Sequence, residues 1–186
     1  MPATRTEPGW TGVLLAGGRS RRMGRDKAGL LWQGRTLLEH QRAQLQAAGA
    51  ARVVVSGDYP DAGAVPDTVS DLGPVGGLMA VAATLEDGAL LVLPIDMPRV
   101  SPALLAALAQ VPAGCAHYAG HVLPLRLTLD AALRRWLDAR MDRPPEDRSL
   151  RALHADFGGI TLPLPPGAEA LLANCNTPEQ WEAMAS

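Results

Sequence analysis

The stretch from Val13 to Lys27 reads VLLAGGRSRRMGRDK, and it constrains the fold more than any other part of the chain. The apolar run Gly12 to Ala16 is continuous rather than alternating, which predicts a strand buried on both faces. Such strands belong to sheets covered by helices on either side. This one passes directly into Gly17-Gly18 and then into five cationic side chains and one carboxylate within residues 19–27. Backbone N–H groups exposed beside cations suit a polyphosphate. Glycine lets the main chain approach phosphate oxygens closely, while Arg and Lys add charge-assisted hydrogen bonds. Neither GxxxxGK[ST] nor GxGxxG fits the letters, so the loop is neither a P-loop nor a dinucleotide fingerprint. Charge alone leaves a solvated arginine-rich loop or a nucleic-acid patch open. The first aromatic after the run is Trp32, which weakens a single-strand reading.

Strand and helix signals alternate along the rest, predicting an α/β fold with a mostly parallel sheet and helices on both faces. Thr36 and Glu39 have capping-box spacing and predict a helix to about Ala48, stopped by Gly49, with Leu37, Leu38 and Leu45 on its apolar face. Arg52 to Ser56 is β-branched and short, a strand broken by Gly57 to Pro60. Residues 61–70 read as loop, with one extended piece near Thr68 and Val69. A helix is expected from Gly76 to about Glu86 and a central buried strand from Ala89 to Pro94. Ser101 and Pro102 open a helix to about Gln110. His121 to Leu129 reads as a strand with Pro124 as an irregularity, and Ala131 to Met141 as an amphipathic helix with Leu133, Trp136 and Leu137 on one face. A short helix at Ser149 to His154 and strands at Gly159 to Pro163 and Leu171 to Cys175 follow. Thr177, Pro178 and Gln180 then start the last helix.

Composition narrows the partners. With 17 basic and 19 acidic residues among 186, the net charge is −2, so no global field draws the protein to nucleic acid or membrane and any cationic site is local. The length suits one domain over residues 11–186 behind a short extension, 1–10. Cys115 and Cys175 lack metal-ligand spacing and read as free thiols packed as small hydrophobes. No apolar leader or span of about 18 apolar residues is present, and the expected location is cytoplasmic.

The segment LAGGRSRRMGRDK resembles the signature of the nucleotidyltransferase family that includes the molybdenum cofactor guanylyltransferases, LAGG-x-S-x-RMG-x-DK. It matches at Leu15, Ala16, Gly17, Gly18, Ser20, Arg22, Met23, Gly24, Asp26 and Lys27. Three further stretches are similar to family elements. Asp96-Met97-Pro98 matches a D-x-P tripeptide, SDLGPVGGL is similar to D-x-x-x-G-P-L-x-G, and LANCNTPEQW to N-x-N-T-P-E at Asn174, Asn176, Thr177, Pro178 and Glu179. The resemblance implies a Rossmann-like nucleotidyltransferase fold with a GTP-binding N-terminal half and a pterin-binding C-terminal half. It implies transfer of GMP from GTP to the terminal phosphate of molybdopterin or Mo-molybdopterin, with pyrophosphate released and Mg2+ as cofactor.

By the same resemblance Lys27, Arg22 and Asp96 are the catalytic residues, and Asp96 holds the metal. Leu15, Ala16, Gly17, Gly18, Lys27, Ser56, Asp71 and Asp96 form the nucleotide site. Asp67 competes with Asp71 for its place. Ser56 departs from an asparagine common in the family, so Ser56 or the Gly57 backbone covers that role, or base recognition is looser. The terminal asparagines have two readings, strand-end capping and pterin-side binding. His121 and Pro124 are too far apart to match the family's H-P element. Partners implied are GTP, the pterin, and proteins of molybdenum insertion or molybdoenzyme maturation. Alternatives are a cytidylyltransferase on the same pterin, another nucleotidyltransferase of the fold, or a non-catalytic nucleotide-binding or cofactor-carrier module.

Overall fold

The computed structural model describes residues 9–17, 26–67 and 72–185. In chain order these form β1 (Thr11–Leu15), the two-residue pair β2 (Leu31–Trp32) and β3 (Arg35–Thr36), α1 (Leu37–Ala47), β4 (Arg52–Ser56), α2 (Gly73–Ala82) and β5 (Gly88–Pro94). There follow α3 (Pro102–Ala109), β6 (Cys115–Tyr118), β7 (Leu125–Leu129), α4 (Ala131–Ala139), α5 (Leu150–Asp156), β8 (Ile160–Leu162) and α6 (Pro178–Ala185). Six strands make one sheet in the order β4-β1-β5-β7-β6-β8, and β7 alone runs against the others. No helix among the described residues is long and apolar enough to cross a membrane.

Continuous apolarity in β1 has the predicted consequence. Leu14 packs with α1, α3 and α6 on one face, whereas Val13 and Leu15 pack with α2, α4 and α5 on the other. β5 repeats the division, with Leu91 and Leu93 on the first face and Leu90 and Val92 on the second. Both strands are thus buried on both sides. The connection after β1 goes to α1 on the first face, and the connection after β4 goes to α2 on the second. Between the carboxyl ends of β1 and β4 the chain therefore opens a crevice, the place where open α/β sheets bind ligands.

α1 begins as its sequence specifies. Glu39 N–H donates to Thr36 Oγ1 at 3.2 Å, and Thr36 N–H donates to Glu39 Oε2 at 2.9 Å, closing the capping box. Thr36 Oγ1 also donates to Glu39 Oε2 at 2.8 Å, and this bond, with the one from Thr36 N–H, holds the Glu39 carboxyl below the ordinary carboxylate range. The helix ends at Ala47, and Gly49 takes φ 100°, a left-handed value that favours glycine.

Differences from expectation have local causes. α2 begins at Gly73 rather than Gly76 and ends at Ala82. The predicted strand from His121 shrinks to Leu125–Leu129, because Pro124 offers no N–H to a ladder. β6 has only four residues, too few for a periodicity signal, and the β2–β3 pair is shorter still. Leu171 to Cys175 is not a strand. Glu169–Leu172 forms a 3-10 turn, and Cys175 N–H donates to the Asp96 carbonyl at 2.8 Å instead of joining a ladder. Both cysteines are free and buried, as expected. The extended piece near Thr68 and Val69 lies outside the described residues.

Loss of the cap tests the helix start. Thr36→Ala should lower the unfolding free energy by about 1 kcal/mol in urea titration, with the m-value unchanged.

Candidate active site at the carboxyl edge of the sheet

Three side chains from distant parts of the chain meet beyond the end of β5. Lys27 Nζ donates to Asn176 Oδ1 at 2.8 Å and to Asp96 Oδ2 at 3.3 Å. The Lys27 and Asp96 side chains are 13% and 16% exposed, so the ion pair is largely removed from water. Asp96 Oδ1 is buried without a hydrogen-bond partner among the described residues. A buried, unpaired carboxylate oxygen is costly unless a further cation or donor meets it.

Each of the three is fixed by its backbone. Asp26 Oδ1 accepts from Ala28 N–H at 3.1 Å, a tight turn around Lys27. The first N–H groups of α1 then bind this turn, Leu37 N–H to the Leu30 carbonyl and Leu38 N–H to the Ala28 carbonyl. On the Asp96 side, Ile95 N–H donates to the Leu15 carbonyl at 3.0 Å, carrying the β1–β5 pairing past the strand end. Gln41 Nε2 donates to the Met97 carbonyl at 2.7 Å, and His40 Nε2 lies 2.9 Å from the Pro98 carbonyl, which requires its proton on Nε2. Burial keeps the His40 pKa below its ordinary value, consistent with a neutral ring. The Cys175 bond to the Asp96 carbonyl places Asn176 beside Lys27. Burial pushes the Cys175 thiol up, so it stays neutral beside Asp96.

A second group lies in the crevice between β1 and β4. Ala16 and Gly17 N–H both donate to the Ser56 carbonyl, at 2.9 and 2.8 Å. Ser56 is buried, and its hydroxyl donates to Asp67 Oδ1 at 3.0 Å. Small residues make the room. A methyl on Gly77 would stand 2.4 Å from Ser56 Oγ, and one on Gly17 would stand 3.0 Å from Asp67 Oδ2. Gly57 has φ 137°, and its Cα approaches Gly17 so closely that a side chain would meet the Gly17 nitrogen at 2.9 Å.

Tyr59 spans the two ends of the cationic segment. Its hydroxyl donates to Asp26 Oδ1 at 2.7 Å and lies 3.3 Å from the Ala16 carbonyl. Burial, with Asp26 beside it, raises the phenol above its ordinary pKa, so the proton stays on the donor.

Of the expected site residues, Leu15, Ala16, Gly17, Lys27, Ser56 and Asp96 stand along this one edge, and Asp67 joins Ser56. Gly18, Arg22 and Asp71 lie outside the described residues. Asn176 belongs with Lys27, whereas the Asn174 side chain makes no hydrogen bond with any of these groups among the described residues. Tyr59, His40 and Gln41 were not foreseen. Gln41 had a signal, an amide at i+4 spacing between Leu37 and Leu45 in an apolar stripe; Tyr59 had none. No group of three or more His, Cys, Asp or Glu able to hold a metal forms among the described residues.

Residues 12–158 match the model of the MobA-like NTP transferase domain. The chain is 46% identical over 177 residues to a molybdenum cofactor guanylyltransferase of Xanthomonas euvesicatoria pv. vesicatoria, covering 94% of each protein. A second protein of that name, from Rhizobium meliloti, is 36% identical over 191 residues, covering 90% of this chain and 87% of its own length. The crystal structure of molybdopterin-guanine dinucleotide biosynthesis protein A from Archaeoglobus fulgidus superposes with a TM-score of 0.75 at 17% identity, over 94% of this chain and 96% of the other, a likeness of fold.

Two substitutions test these supports. Tyr59→Phe removes a hydrogen bond to a charged acceptor and should lower the unfolding free energy by about 1.5 kcal/mol in urea, with far-UV circular dichroism unchanged. Gly77→Ala forces Ser56 away from Asp67 and should cost about 1–3 kcal/mol by the same measurement.

Proposed function

The chain belongs to the MobA-like NTP transferase family, and on that premise we propose that it transfers GMP from GTP to the terminal phosphate of molybdopterin, with or without molybdenum, releasing pyrophosphate. The observation that carries this reading is the convergence of Lys27, Asp96 and Asn176 at the carboxyl edge, with Asp96 Oδ1 buried and unpartnered among the described residues. An oxygen with that unmet demand, on a carboxylate facing a phosphate-binding edge, fits a hard divalent cation such as Mg2+, which takes oxygen ligands and keeps several waters. When bound, Mg2+ would neutralise charge on the phosphate oxygens.

The remaining chemistry rests on the chain's own groups. The acceptor phosphate is ionised at neutral pH, so no general base is needed, and the site must align two anions for in-line displacement at the α-phosphorus. Lys27 is placed to donate charge-assisted hydrogen bonds to the triphosphate. The residues from Leu15 to Gly18 bring the main chain to the nucleotide. Arg22 and Asp71 complete the proposed site from the family resemblance. Asp67 is the stronger candidate for a contact to the base, since it stands in the β1–β4 crevice with its orientation set by Ser56. Guanine presents adjacent N–H donors that a carboxylate accepts together. The N-terminal half thus takes GTP and the C-terminal half the pterin.

Two measurements test the reading. Thermal unfolding with GTP, CTP, ATP and UTP, each with and without Mg2+, should show the largest stabilisation with GTP and Mg2+. Ligand at about 100 times its dissociation constant contributes about 2.7 kcal/mol. A larger shift with CTP would move the assignment to cytidylyl transfer. Asp96→Asn should retain the fold and lose at least 100-fold in pyrophosphate release; unimpaired turnover would remove Asp96 from the metal role.

A further inference from the structure

Lys27 is the only lysine of the chain; every other side chain with a permanent positive charge is an arginine. An ammonium is a compact charge with three N–H donors on a flexible four-carbon stem, so its neighbours must set its direction. Nζ donates to Asp96 Oδ2 and to Asn176 Oδ1, which among the described residues leaves the third donor for an incoming anion. Those acceptors hold the tip of the side chain. Its base is held from another part of the fold.

Asp26 Oδ1 closes the turn that carries Lys27 by accepting from Ala28 N–H, and the same oxygen accepts from the Tyr59 hydroxyl at 2.7 Å. Asp26 is exposed, and water would satisfy its carboxylate about as well as a phenol does. What water does not supply is a fixed direction. Tyr59 supplies one because its own segment is tied down. Its carbonyl accepts from Ala62 and Ala64 N–H at 3.0 and 3.2 Å, and Gly57 N–H donates to the Val65 carbonyl at 2.9 Å. Arg42 of α1 donates to the Ala62 carbonyl at 3.3 Å. The Tyr59 ring lies on the Gly57 backbone, where a methyl would stand 2.9 Å from its Cε2. The hydroxyl is also 3.3 Å from the Ala16 carbonyl, so the Lys27 turn is referred to the end of β1 as well as to the segment after β4. Burial, then Asp26, keeps the phenol protonated and therefore a donor.

We propose that Tyr59 is a positioning residue for phosphate binding: its hydroxyl, acting through Asp26, sets the direction of Lys27 toward the triphosphate of the incoming nucleotide. A carboxylate next to Lys27 that turned freely would compete with phosphate oxygens for the ammonium, and Tyr59 keeps Asp26 engaged elsewhere. The role rests on the reading that Lys27 meets the triphosphate, and on neither the identity of the base nor that of the acceptor.

The full chain grown with lysine labelled with carbon-13 at Cε gives the side-chain signal of Lys27 alone. Its paired Hε protons are inequivalent while the side chain is held and equivalent once it turns freely. In Tyr59→Phe they should collapse to equivalence. The affinity for inorganic tripolyphosphate, titrated at constant ionic strength through the same signal, should fall about tenfold. Ser149→Ala removes the cap of α5, where Ser149 Oγ accepts from Ala152 N–H at 3.1 Å, and controls for a general loss of stability; it should change neither readout. An unchanged signal or an unchanged affinity in Tyr59→Phe overturns the proposal. The same change in Ser149→Ala, or no response of the unsubstituted chain to tripolyphosphate, overturns it too. Nucleotidyl transfer is assayed separately: if no nucleotide supports it while the Lys27 pattern holds, the transferase reading fails and the positioning role stands.

Discussion

Burial of β1 on both faces governs everything else in this molecule. A strand with no wet side needs helices above and below it and ladder partners on both edges, and here α1, α2, β4 and β5 supply them. The connections that place α1 and α2 on opposite faces also part the chain at the carboxyl end of β1. The crevice that holds Gly17, Ser56 and Asp67 is thus a product of covering the strand. The same pairing, continued by Ile95 N–H to the Leu15 carbonyl, sets the height of Asp96 above the sheet.

Polar groups buried for structural reasons fix the chemistry. His40 and Gln41 lie on a helix face that otherwise packs leucine, and burial of an amide and an imidazole there would be unfavourable without partners. Their partners are the carbonyls of Pro98 and Met97, flanking the loop of Asp96. α1 therefore holds the carboxylate loop directly, while its first turn holds the Lys27 turn. One helix positions both members of the ion pair. Such a pair, taken largely out of water, is weak evidence for stability, since desolvation offsets much of the attraction. Its significance lies in keeping a cation, and a carboxylate with one oxygen unpartnered among the described residues, at the carboxyl edge of the sheet.

Much of this was legible in the letters, wherever local signals were strong. The capping box at Thr36 and Glu39, the strand from Arg52 to Ser56, the Ser101-Pro102 helix start and the buried strand ending at Pro94 all formed within a residue or so of expectation. Segments whose state depends on a neighbour were not legible. β6 exists because β7 and β8 lie on either side of it, and four residues carry too little pattern to announce that. Leu171 to Cys175 has the apolarity of a strand, yet its backbone is engaged by Asp96 and its side chains by the core. Tyr59 reaches the loop it binds from beyond β4, and a phenol in a turn carries no sign of a partner 33 residues earlier.

The sequence by itself determined the alternation of strands and helices, the two-faced burial of β1 and β5, the cationic loop and the family to which its motif points. Those are properties of periodicity, capping and letters at fixed spacing, read within a few residues of one another. Only the tertiary structure decided that Lys27 meets Asn176 across 149 residues, that Asp67 stands on Ser56, and that Tyr59 holds the turn of Lys27 through Asp26. These meetings depend on which strands lie side by side and on which face each helix packs, information spread over the whole chain and resident in no single stretch of it.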